Sequence, residues 1–336
     1  GETYCAFPSP ISALAASDTC LYIGTEAGTI ARLYTEGMRF GNPMYIDYGH
    51  IYCIREAGPG RLLVGIRNKG LKLVRVHGDD SISVITDYAI SPGRLTYSPY
   101  SFLIKKGNGC DTVFCGTSNG IYWYPLPETG STAGDIRDTV LMFRITKNNR
   151  AEYRFNSMDS TENGEIYAGG NSGVVRIKNC GVGKDGNPSI TCDTVFPGQV
   201  NRIHAYGDRL YWITPDGDLY VDGNGKRARK FRNKPLLFYR DGDYTFTVSD
   251  WTLTVGNENG EGKFRLPFRS AISGLNNRGR ECFLKHGDFY YLATEKAVLK
   301  IPSHINIGNG TALTDVCPHT RNGAVFAITG NDDLYR

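Results

Sequence analysis

Leu21-Tyr22-Ile23-Gly24-Thr25 is a short apolar run, rich in strand-favouring side chains, that stops at a glycine and a hydroxyl just before the turn Glu26-Ala27-Gly28. It sits in the middle of a longer phrase, Ile11 to Leu33, with one apolar run before it and another after. Three short strands divided by two tight turns make an antiparallel meander that cannot bury both faces alone. The phrase returns as Leu62-Leu63-Val64-Gly65-Ile66, Val113-Phe114-Cys115-Gly116-Thr117 and Ile166-Tyr167-Ala168-Gly169-Gly170. Weaker copies contain Leu210-Tyr211-Trp212-Ile213-Thr214, Thr245-Phe246-Thr247-Val248-Ser249, Tyr290-Tyr291-Leu292-Ala293-Thr294 and Val325-Phe326-Ala327-Ile328-Thr329. The mean spacing is about 43 residues, the length of one four-stranded propeller blade.

Turn chemistry repeats with the strands. Gly207-Asp208, Gly242-Asp243, Gly287-Asp288, Asn163-Gly164 and Asn322-Gly323 each precede a second strand, where a residue tolerant of positive φ closes a tight hairpin. Further apolar segments, Ser81 to Tyr88, Thr139 to Ile145 and Lys263 to Phe268, supply outermost strands. The expectation is an all-β chain, a single β-propeller over residues 1–336 with about eight four-stranded blades. Seven remain possible if the Thr245 copy is an insertion. The eighth copy lacks an outer strand, so Glu2 to Phe7 is expected to pair with it and close the ring.

Charge is nearly balanced, with 38 basic against 34 acidic residues and a net +4. The one dense basic run, Lys226 to Lys234, carries six cations; without them the net charge is −2. A nucleic-acid partner is therefore not expected, and the run reads best as a solvated outer strand, with a nuclear-localisation patch as the alternative. The nine cysteines show no zinc spacing, and no metal or cofactor is expected. Cys180 and Cys192 flank a glycine-rich stretch and can face each other across a hairpin. The chain starts at Gly1, which points to a trimmed N-terminus, and no apolar stretch is long enough to span a bilayer.

Motifs for chemistry are weak. Gly116-Thr117-Ser118-Asn119-Gly120 matches a nucleophile elbow, but it falls on a hairpin tip followed by another strand, where the other copies carry unrelated residues. Asp216, Asp218, Asp222 and Asn224 resemble a calcium loop, interrupted by Tyr220 and Lys226. The six histidines, His50, His77, His204, His286, His304 and His319, have no ligand spacing.

The phrase at Leu21 to Gly28, with its relatives at Gly116-Thr117 and Gly120 and at Gly169-Gly170 and Gly173, resembles the two-component regulator propeller repeat. Tyr or Phe replaces the usual Trp in most copies. The resemblance implies an extracytoplasmic sensor in the periplasm or at the cell surface, as in Bacteroidetes hybrid two-component systems, which respond to oligosaccharides.

In a propeller, the loops between second and third strands and those entering each innermost strand open onto one face around the channel. Those loops hold Arg67, Lys69, Tyr97, Tyr100, Arg150, Arg202, Trp251, Arg278 and Arg280. Guanidiniums and ammoniums hydrogen-bond to hydroxyls and anions, and aromatic rings stack on the apolar face of a sugar. These nine are the expected ligand-binding residues, for an oligosaccharide or a protein. The alternative is a polysaccharide lyase or glycosidase, for which Asp216 and Asp250 are the only acidic pair in adjacent loops. No catalytic residue is assigned.

Overall fold

The computed structural model describes residues 9–36, 39–78, 80–88, 98–107, 111–126, 141–143, 154–182, 188–222, 226–258, 260–266, 268–273, 281–303, 316–318 and 325–328. Among these, seven sheets of four or five strands follow one another along the chain. Their innermost strands are Ile11–Ala16, Ile51–Glu56, Pro99–Lys105, Phe155–Ser160, Arg202–Tyr206, Leu237–Asp241 and Phe283–His286. The sheets are the blades of a β-propeller.

The core lies between blades. Ile51, Leu62 and Val64 of the second blade pack on Ala13, Tyr22 and Ile30 of the first, and Phe102 and Val113 of the third pack on Leu63 and Leu71 of the second. Each fully buried Ile or Leu contributes about 1.5–3 kcal/mol, and only a neighbouring blade supplies that burial. The ring shuts where Ile11, Leu14 and Ile23 join one apolar cluster with Phe283, Tyr290 and Leu292 of the last blade. The backbone N–H of Leu14 also donates to the Glu281 carbonyl at 2.7 Å.

The repeated glycine has a packing cause. A Cβ on Gly24 would stand 2.8 Å from Ile51 Cγ2 and Ile54 Cδ1, and one on Gly116 would stand 2.6 Å from the Phe155 carbonyl oxygen. The bare backbone is what lets the next innermost strand approach. The threonine after it holds the following hairpin: Thr117 Oγ1 donates to the Gly120 carbonyl at 2.9 Å, and Thr294, which follows Ala293 in the seventh blade, makes the same bond to the Ala297 carbonyl at 2.8 Å. Gly207, Gly242 and Gly287 lie at φ +59°, +58° and +56°, the first of two loop residues in each hairpin, as a type II′ turn demands.

Three expectations are corrected or fall elsewhere. The count is seven, the number held open as the alternative, but the Thr245 copy forms a regular blade. Among the described residues it is the Val325 copy that contributes no separate blade. Val325–Ile328 pairs in parallel with Val298–Pro302 and antiparallel with Val316–Pro318, so it widens the seventh sheet. Cys180 stands opposite Ile190, and Cys192 opposite Ile177, so the register does not set the two cysteines face to face. The closing segment Glu2 to Phe7 lies outside the described residues.

Candidate functional site

An innermost strand pairs on one edge only, which leaves backbone groups facing the channel in need of partners. Side chains of neighbouring blades provide several. Ser157 Oγ accepts from the Ile203 N–H at 3.2 Å, Asp159 Oδ2 from the Ala205 N–H at 2.8 Å, and Ser101 Oγ from the Met158 N–H at 3.1 Å. Polar residues on these strands therefore have structural work, and only the surplus is available to a ligand.

Cross-strand register defines a layer of equal depth. Ala13, Cys53, Ser101 and Ser157 stand opposite Gly24, Gly65, Gly116 and Gly169, while Arg202 stands opposite Ile213 and Leu237 opposite Val248. In the seventh blade the Cys282 carbonyl accepts from the Ala293 N–H. Six of these seven positions are small or apolar, and Arg202 is the one cation. Its side chain lines a cavity of about 390 Å³ in the channel, to which all seven innermost segments contribute.

The charges in that cavity are organised. Glu281 accepts from Arg55 Nη2 and from Ser101 Oγ, each at 3.0 Å, and so links the seventh blade across the channel to the second and third. The Glu281 carboxylate raises the Arg55 guanidinium above its ordinary value. Burial lowers that of Arg202 against the opposing pull of Glu281, which leaves an incompletely solvated cation in the channel wall. His204 lies 3.3 Å from Asp159 through Nδ1, donates from Nε2 to the Arg240 carbonyl at 2.8 Å, and stacks on Tyr239 at 4.2 Å between ring centroids. Burial pushes the Tyr239 phenol up to about 12. The Cys53 and Cys115 thiols are also driven far above their ordinary value by burial, so neither is a ready nucleophile.

The expected site residues are distributed unevenly. Arg202 is in the cavity. Arg67 is exposed in the hairpin of the second blade, and Lys69 beside it is bound to Asp47 at 2.6 Å. Trp251 is 50% exposed in the corresponding hairpin of the sixth blade. Tyr100 offers no stacking face: it is 4% exposed, packed on Tyr52 at 5.3 Å in the core between the second and third blades. Tyr97, Arg150, Arg278 and Arg280 lie outside the described residues. Ser118 is a turn residue whose Oγ accepts from the Ser98 N–H. Asp216 pairs with Lys234, Asp218 with Arg227 and Lys230, and Asp250 with Arg269, so these carboxylates are engaged in exposed ion pairs. Among the described residues no group of three or more His, Cys, Asp or Glu is placed to hold a metal ion, and no helix is long and apolar enough to cross a membrane.

Sequence reading passed over Arg55, Asp159, Tyr239 and Glu281, and set His204 aside because the histidines have no ligand spacing. The available signal was charge at the end of an otherwise apolar innermost strand, as in Ile51-Tyr52-Cys53-Ile54-Arg55.

No protein-family model and no curated protein matches the chain. Solved structures do. The extracellular domain of the hybrid two-component system BT3049 from B. thetaiotaomicron superposes with a TM-score of 0.56 at 13% identity, and the match covers 86% of this chain and 38% of that one. Sqt1 of Saccharomyces cerevisiae superposes with a TM-score of 0.55 at 11% identity, over 89% of this chain and 98% of that one. At these identities the likeness is one of fold. This chain spans 38% of the length of the BT3049 domain.

Proposed function

We propose that the chain, read as one domain, is an extracytoplasmic recognition propeller that binds an anionic or hydroxyl-rich ligand, above all an oligosaccharide, at the mouth of its channel. The observation that carries this reading is Arg202, the lone cation in a layer of small and apolar residues, lining a cavity of about 390 Å³. A partly desolvated guanidinium gains more from an anionic or hydroxyl ligand than a hydrated surface cation does. Arg67 and Trp251 at the mouth, with Tyr97, Arg150, Arg278 and Arg280, would extend the contact, while Lys69 holds Asp47. The repeat resemblance and the extracellular origin of the BT3049 domain support the compartment and the sensing role. A lyase or glycosidase would need paired carboxylates free to exchange protons, and of the three that line the cavity two, Glu281 and Asp159, are held by Arg55, Ser101, Ala205 and His204, which leaves Glu56, raised by burial, as the one such chemistry would have to use.

The test is calorimetry with tetragalacturonate, a sulfated disaccharide and neutral cellotetraose. A charge-assisted hydrogen bond contributes about 1.5–3 kcal/mol, so Arg202→Ala should weaken binding of the acidic sugars roughly ten- to a hundredfold. Heat from none of the three, or equal affinity in the variant, rejects the site. New reducing ends or unsaturated sugars during the titration would instead make catalysis the better account.

A further inference from the structure

The cavity that Arg202 lines is not a cationic one. His204 apart, its wall carries three cations, Arg55, Arg202 and Lys285, and three carboxylates, Glu56, Asp159 and Glu281. Lys285 is bound to Asp241 at 2.5 Å, and Asp159 to the Ala205 N–H and the His204 imidazole. A wall of balanced charge gains little from a ligand of high charge density, because each further anion drawn towards a guanidinium also approaches a carboxylate.

Glu281 is the carboxylate placed to discriminate. Its side chain is 14% exposed, and one oxygen, Oε1, takes the bonds from both Arg55 Nη2 and Ser101 Oγ, each at 3.0 Å. The other, Oε2, is accessible and accepts from no donor among the described residues, so an acceptor stands open on the cavity wall. The group is held at both ends. Its backbone carbonyl accepts from the Leu14 N–H at 2.7 Å across the seam of the ring, while its side chain is tied to the second and third blades. An acceptor fixed in this way loses little entropy on taking a donor.

Glu281 also governs the cations around it. Of the charges near Arg202, it acts on the guanidinium most strongly, and it is the first influence on Arg55, whose side chain engages only Nη2 among the described residues. An anion seated on these guanidiniums therefore lies in the field of a fixed carboxylate. One negative charge accompanied by a hydroxyl donor satisfies both signs, whereas several negative charges on one ring meet like-charge repulsion.

We propose that Glu281 is the specificity-determining residue of the channel site: Oε2 accepts a hydroxyl of a sugar whose single carboxylate pairs with Arg202, so the site takes a uronate and rejects a multiply sulfated ring. The assignment rests on the recognition reading above and refines it.

Calorimetry with tetragalacturonate, a trisulfated disaccharide and cellotetraose tests it on the wild type, Glu281→Gln and Arg202→Ala, with thermal melts to establish folding. The wild type should bind tetragalacturonate at least about tenfold more tightly than the trisulfated disaccharide. Glu281→Gln keeps the shape and removes the charge, and should move that ratio about tenfold towards the sulfated sugar. A wild type that prefers the trisulfated disaccharide, or binds cellotetraose alone, overturns the assignment whether or not the variant folds, and leaves the recognition reading standing. If both acidic sugars bind and respond to Arg202→Ala, but their ratio is the same in Glu281→Gln, the assignment again falls alone. Heat from none of the three sugars with any protein overturns the recognition reading and the assignment together.

Discussion

Gly116 and Gly78 are the same residue type with opposite consequences for an added methyl group. At Gly116 a Cβ would stand 2.6 Å from the Phe155 carbonyl oxygen, a backbone atom of the next blade, whereas at Gly78 nothing lies within 4 Å. Gly116→Ala should therefore cost about 1–3 kcal/mol by overpacking, and Gly78→Ala should be neutral or slightly stabilising. Urea denaturation midpoints of the two variants would show it, and equal midpoints would reject the close-approach account. Features of this kind were legible in the sequence because their cause is local: a glycine before a threonine marks both the bare contact and the capped hairpin. That Arg202 faces the channel was legible for a similar reason, since it stands at the entry to an innermost strand. Glu281 with Arg55 was not, since the partners are separated by 226 positions and nothing in either neighbourhood requires the other.

Strands and turns were mostly readable from alternation and turn pairs, but the contacts that join one blade to the next were not. Asp241 is an example, ending the innermost strand of the sixth blade and accepting from Lys285 Nζ at 2.5 Å and Tyr290 Oη at 2.6 Å of the seventh. Burial pushes the Asp241 carboxyl up, but the hydrogen bonds of Lys285 and Tyr290 outweigh it and leave the group below its ordinary value. A carboxylate depressed in the folded state stabilises fully above its unfolded pKa, about 4, and loses that contribution as the pH falls through the folded value. Melting temperature should therefore decline below about pH 4, as Asp241 and other depressed carboxylates such as Asp47 take up protons. Asp241→Asn should cost about 1 kcal/mol at pH 7, a modest figure because the pair is partly solvated, and should make the acid decline shallower. Melts at pH 7 and pH 3 decide it, and an acid decline as steep as that of the wild type would remove Asp241 from the account.

For the molecule as a whole, the blade number depends on where the last copy of the repeat goes, and copy counting cannot supply that. After Val298–Pro302 the described strands are Val316–Pro318 and Val325–Ile328, and both widen the seventh sheet. The ring therefore shuts directly between the first and seventh blades, and its seam includes Leu14, which is 1% exposed and packed in the cluster that contains Phe283 and Leu292. If the seam is as strong as the other blade junctions, Leu14→Ala should cost about 2–5 kcal/mol, the range for a buried leucine elsewhere in a core. Because no blade buries both faces without its neighbours, the variant should still unfold in one transition with an unchanged denaturant slope. Val84→Ala, on the exposed face of an outermost strand, is the control and should shift the midpoint by less than about 0.5 kcal/mol. Two separate transitions in Leu14→Ala, or a shift no larger than that of Val84→Ala, would mean that the first and last blades are held together by something other than this packing.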